Sequence, residues 1–162
     1  DNEIDEYRLS VLAGYKRSKA EVLARMEQRK QSKPQHKKQD DSYISLTELA
    51  RNHSKNTPGY VIQSWLRSEN TLAFLNLWEQ ENNPDYREAG YIELLEKKKT
   101  ASFTLTPKLW IEKTKAIGIA SKQGKGGGTF AHPMIGCEFA SWISPEFKML
   151  LLKLSLGREQ VR

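Results

Sequence analysis

The stretch "GKGGGTFAHPMIGCEFASWISPEFK", Gly124 to Lys148, packs four of the chain's ten glycines into its first five residues. Lys122 and Lys125 lie among and just before them. Three readings compete: a phosphate cradle for a nucleotide, a slack linker, or the tip of a hairpin that touches nucleic acid. A Walker-type loop requires G-x-x-x-x-G-K-[ST], because the lysine and the metal-binding hydroxyl must follow the loop directly. Here Gly124-Lys125 is followed by Gly126, and the match fails. The dinucleotide pattern G-x-G-x-x-A fits Gly126, Gly128 and Ala131, but it should open a helix at once. Thr129–Ala131 is β-prone instead, and the next helix signal waits until Pro133.

The flanks favour a hairpin. Ile117–Ala120 and Thr129–Ala131 are short β-prone pieces on either side of a tip at Ser121–Gly128. Lys113, Lys115, Lys122 and Lys125 fall between Lys113 and Lys125 without one acid. Glycines let backbone approach a surface and offer its N–H groups, while lysines attract phosphates. By themselves these residues fit a wing lying on nucleic-acid backbone and a solvated hairpin equally well. His132 is placed to cap the following helix or to contact a phosphate. With Glu138 and Glu146 nearby it also leaves a nuclease as a formal option, though no second metal-binding carboxylate stands at a matching spacing.

Working outward, punctuation residues divide the chain. Ser45 followed by Glu48 is a capping box for a helix over Leu46–His53, with Leu46, Leu49 and Ala50 inward. Thr57-Pro58 starts a second helix, "PGYVIQSWLRS", after a four-residue turn, which together outline a helix-turn-helix. Residues 70–82 form a core helix with Asn70 as N-cap and Leu72, Leu75 and Trp78 inward. A surface loop then carries a short helix at Tyr91–Lys98, "SFTL" (102–105) is β-prone, and Thr106-Pro107 starts a helix that buries Leu109 and Trp110. Pro133 and Ser144-Pro145 open the last two helices.

The 162 residues, 38% hydrophobic, suit one modest core, and 26 basic against 20 acidic residues leave a net charge of +6. Such an excess favours polyanionic partners. Cys137 is the only cysteine, so neither an intramolecular disulfide nor a cysteine-based zinc site forms, as expected of a reducing compartment. No apolar run approaches the roughly 20 residues of a membrane span. A soluble, cytoplasmic protein with no cofactor and no enzymatic activity is expected. Residues 1–33 are rich in helix formers without one heptad register, a helical arm suited to a protein partner or to self-association. Residues 34–42 read as a linker, 43–157 as the folded domain and 158–162 as a tail.

The run "GKGGGTFAHPMIGCEFASWISPEFK" closely resembles the signature of the KilA-N domain. "YISLTELA", "VIQSWLRSENTLAFLNLWEQENNP" and "SFTLTPKLWIEKTKAIGI" resemble that family too, in its order, so the resemblance covers about residues 43–155. It implies a compact α+β fold related to the fungal APSES domains, with a helix-turn-helix-like pair and a glycine-rich hairpin wing. It further implies DNA binding of the kind found in phage and bacterial regulators and antirepressors. The family usually carries Asp-Ile-Ala or similar where this chain has "MIGCEFA". Gly136 inside a helix costs about 1 kcal/mol relative to Ala, which close packing would explain.

On this basis the helix Pro58–Arg67 approaches the major groove of double-stranded DNA, with Tyr60, Gln63, Ser64 and Arg67 as readers. Gln and Arg suit bidentate contacts to adenine and guanine edges, whereas Trp65 packs the core with Ile62 and Leu66. Lys122, Lys125, the backbone of Gly126, Gly127, Gly128 and Thr129, and His132 hold phosphates, with Arg51, Lys55 and Lys115 as outer support. The rival is a protein-interaction module acting through the N-terminal arm and a Trp-rich surface.

Overall fold

Among the described residues four helices begin at a proline, and the residue before each proline decides how the first turn is closed. The computed structural model describes Ala20, Ala24 and residues 42–157. The chain separates into two units, residues 1–38 and residues 39–162. In the first, Ala20 and Ala24 are helical and exposed. The rest of the expected arm, the linker up to Asp41 and the tail lie outside the described residues.

The second unit is α+β. In chain order it contains β1 (Ile44–Ser45), α1 (Leu46–His53), α2 (Pro58–Leu66), α3 (Glu69–Asn82) and α4 (Glu88–Lys97). These are followed by α5 (Pro107–Thr114), β2 (Ile119–Lys122), β3 (Gly128–Ala131), α6 (Pro133–Ile143) and α7 (Pro145–Ser155). Among the described residues no helix is long and apolar enough to cross a membrane.

The caps follow local chemistry. Ser45 Oγ accepts from the Glu48 amide at 3.1 Å, Thr106 Oγ1 from Leu109 at 3.2 Å and Ser144 Oγ from Phe147 at 3.1 Å. Each satisfies an amide that the helix itself leaves without an acceptor. The reciprocal half of the capping box is not made, because the Glu48 carboxylate turns to Arg51. Thr57 makes no side-chain cap either; α2 relies on Pro58, which has no N–H to satisfy.

Three expectations need correction. Ser68, not Asn70, precedes α3, which gains the exposed Glu69 in its first turn. The helix after the loop starts at Glu88, one turn earlier than expected. "SFTL" forms no strand: the Phe103 amide closes a turn on Thr100 O at 3.2 Å, Leu105 is buried, and Thr106 is committed to its cap.

The three strands run antiparallel in the order β1-β3-β2, with Ile44 and Ile119 both opposite Ala131 and Lys122 opposite Gly128. The helices bury Leu46, Trp65, Leu66, Leu72, Leu75, Leu94, Trp110 and Phe139 essentially completely. Such side chains contribute roughly 1.5–3 kcal/mol each. Trp65 meets Phe139 edge to face, ring centroids 5.0 Å apart. Gly136 has the expected reason: a Cβ there would lie 3.0 Å from Ile44 Cδ1 and 3.2 Å from its Cβ. The missing side chain lets α6 close on β1.

Among the described residues, one core position carries a carboxyl group. Glu79, on α3, is 1% exposed. Its Oε1 accepts from the amides of Ile117 at 2.9 Å and Gly118 at 2.7 Å, and its Oε2 from Asn83 Nδ2 at 2.8 Å. Asn83 Nδ2 also donates to Lys115 O at 2.8 Å. Burial pushes the Glu79 carboxyl above its ordinary value, against the lowering effect of the bonds from Gly118, Asn83 and Ile117. The segment between α5 and β2 is thereby tied to α3. Glu79→Ala leaves the Gly118 amide and Asn83 Nδ2 short of an acceptor, at about 1–3 kcal/mol per buried donor. Urea denaturation should show a loss of at least about 2 kcal/mol; a loss under about 1 kcal/mol would mean the loop finds other partners.

Candidate nucleic-acid interface

The hairpin is built by its glycines and seated by a threonine. Gly124 (φ 89°) and Gly126 (φ 71°) adopt left-handed backbone that disfavours other residues, and the Gly127 amide closes the turn on Gly124 O at 2.9 Å. At the base, Thr47 Oγ1 in the first turn of α1 accepts from the Thr129 amide at 2.9 Å. Lys122 and Lys125 are exposed, and Lys122 Nζ lies 5.3 Å from the centre of the Phe130 ring, a cation–π contact that steadies its stem. Gly126 is exposed, while Gly127 and Gly128 are half-buried.

The other expected phosphate ligands lie on neighbouring elements. Arg51 stands one turn beyond Thr47 on α1, hence on the same side of that helix as the hairpin seat. It is exposed and pairs with Glu48; an exposed pair of this kind is worth at most about 1 kcal/mol and yields readily to a phosphate. Lys55 is exposed in the turn between α1 and α2. Lys115 ends α5 in the left-handed conformation (φ 55°), its side chain in solvent and its amide on Ile111 O at 2.9 Å.

On α2 the buried side is Val61, Ile62, Trp65 and Leu66. Tyr60 and Arg67 are exposed and Gln63 and Ser64 half-buried; spacings of three and four residues put them on the opposite side. Lys98 Nζ donates to Arg67 O and holds the end of this helix. Beside Tyr60 and Ser64 a shallow hollow of about 270 Å³ is closed by His53, Asn56, Trp142 and Ile143.

Comparison with known proteins adds the family. The KilA-N domain model matches residues 27–156, well over half of the chain. The chain belongs to the KilA-N domain family. The protein kilA of Escherichia phage P1 is 55% identical over 31 residues, a match that covers 19% of this chain and 12% of that protein. No solved structure matches. KilA-N is a DNA-binding domain family.

Within this KilA-N domain, two expected ligands already have structural work. Thr129 is 8% exposed and its amide is committed to Thr47, so it is not offered to a phosphate. His132 Nδ1 accepts from the Met134 amide at 3.1 Å, and its ring lies 5.0 Å from that of Trp78. It is the cap of α6, one of the two roles open to it. Glu138 Oε2 accepts from Trp65 Nε1 at 2.5 Å. Among the described residues no group of three or more His, Cys, Asp or Glu is placed to hold a metal ion. The Trp-rich surface is also corrected: Trp65, Trp78 and Trp110 are buried, and Trp142 alone is exposed.

Thr47 and Trp142 escaped sequence reading. A threonine inside a helix carries no signal of its partner 82 residues on. Trp142 follows Phe139 by three residues, a helical spacing that suggests core; its ring does stack on Phe139 at 6.3 Å but lies at the rim.

Burial pushes the Glu138 carboxyl above its ordinary 4.5, opposed by the Trp65 bond and by Lys148. The folded chain therefore keeps this proton to higher pH than the unfolded chain does. Its contribution to stability falls as pH rises from 4.5 through the raised value. Glu138→Gln keeps an acceptor for Trp65 but cannot titrate. Its stability relative to wild type, from urea melts at a series of pH values, should climb from pH 4.5 to neutrality; a constant difference would contradict the assignment.

Proposed function

We propose that this domain is a duplex-DNA reader in a phage or bacterial regulator, acting inside the cell on transcription. In this reading α2 enters the major groove with Tyr60, Gln63, Ser64 and Arg67, and the hairpin acts as a wing on the phosphates through Lys122, Lys125 and the backbone of Gly126. Arg51, Lys55 and Lys115 add positive charge around it. The observation that carries the reading is the bond from the Thr129 amide to Thr47 Oγ1. It fixes a basic hairpin to the first helix of the pair whose second helix carries the polar residues, which supports a reading in which phosphate attraction and base-edge donors act together.

Two measurements test it. Binding to duplexes selected from a random pool, measured across a salt series, gives the number of phosphates neutralised; Lys122→Ala with Lys125→Ala should lower that slope by up to about two units. An unchanged slope removes the hairpin from the interface. Arg67→Ala should relax base preference at one position, by about 1–3 kcal/mol of discrimination. Equal weakening on every duplex would make Arg67 a phosphate contact instead of a reader.

A further inference from the structure

The last helix is the anomaly of this surface. α7 reads "PEFKMLLLKLS", yet none of its residues is buried. Met149 is 58% exposed, Leu150 53%, Leu152 51%, Leu154 53% and Leu156, just past its end, 56%. Together these side chains present on the order of 500 Å² of apolar surface, the upper range for the largest patch on a typical monomer.

Charge decides what covers it. Glu146, Met149, Leu150 and Lys153 stand at i, i+3, i+4 and i+7, one stripe along the helix. The stripe has an acid at one end, a base at the other and two large apolar residues between. Neither Glu146 nor Lys153 has an ion-pair partner among the described residues; Glu146 accepts only from Ser144 Oγ, at 3.3 Å. Such a stripe is self-complementary. Two copies laid antiparallel about an axis between Met149 and Leu150 set each Glu146 against the partner's Lys153, twice, with the apolar residues meeting in the middle. A parallel pairing would set like charges together at both ends. The antiparallel arrangement also opposes the helix dipoles favourably.

We propose that α7 is the seam of a homodimer, formed by antiparallel pairing of two α7 helices through Met149 and Leu150 and closed at each end by Glu146 and the partner's Lys153. This goes beyond the DNA-binding reading and is tested without DNA. Sedimentation equilibrium of the 162-residue chain should show a reversible dimer at micromolar concentration. Glu146→Lys or Lys153→Glu alone should each weaken it roughly tenfold, and the two together should restore it, because the attraction is merely reversed. Leu150→Asp should leave a monomer with unchanged circular dichroism, since the residue is exposed. A wild-type chain that stays monomeric at about 100 µM overturns the proposal. So does a dimer indifferent to all of these substitutions, which would use another surface such as residues 1–33. A double swap that fails to restore the dimer overturns the antiparallel pairing.

Discussion

A single buried carboxylate governs how the second half of this domain attaches to the first. Between α5 and β2 the chain turns through Lys115 and runs past α3 with amides that no strand or helix takes up. Glu79 accepts two of them, from Ile117 and Gly118, and Asn83 takes the Lys115 carbonyl. Gly118 O in turn accepts from the His132 amide at 2.9 Å, so both ends of the hairpin are referred to the same point on α3. Desolvation outweighs the hydrogen bonds, since the Glu79 carboxyl is raised despite three donors. Its value lies in position: one carboxyl aims acceptor oxygens at two loop amides and at Asn83, and a mispositioned loop leaves these buried polar atoms without partners.

The hairpin then receives a second, independent fix from Thr47. Glu79 sets where the strands begin, and Thr47 sets how β3 lies on α1. Between these anchors and the solvent remains a short tip whose left-handed glycines carry no large side chains. A rigid base and a slender basic tip suit backbone contact, where close approach matters more than side-chain complementarity. On the other side of the helix pair, Trp65 bridges α2 to α6 through Glu138 and Phe139. The polar face of α2 is thus held from behind by a packed tryptophan.

What the sequence revealed was largely what is local. Prolines after Thr, Ser or His marked four helix starts, because a fixed φ and a missing N–H act within one turn. The hairpin was legible from two β-prone pieces around glycines, and Gly136 announced close packing through its unfavourable place in a helix. "SFTL" misled because β-propensity reports a fit to a pleated surface, and no strand edge takes up that segment. Glu79 was missed for a related reason. In "NLWEQEN" an acid looks like the solvent side of an amphipathic helix, and its partners lie 38 and 39 residues away. Thr129 shows the same gap in the candidate site: its amide looked available until Thr47 occupied it. Lysines at a glycine-rich tip are visible in sequence; which amides the fold has already engaged is not.

Lys115 joins these themes at one residue. A left-handed lysine costs roughly 1–2 kcal/mol of conformational strain that glycine would avoid. Its carbonyl serves Asn83 whichever side chain is present, so the fold gains nothing from the lysine itself. Glycine at this position would ease the backbone and erase a cation at the root of the hairpin. Thermal resilience and surface charge therefore pull in opposite directions here, and screening for heat-resistant variants would select against a positive charge beside the hairpin.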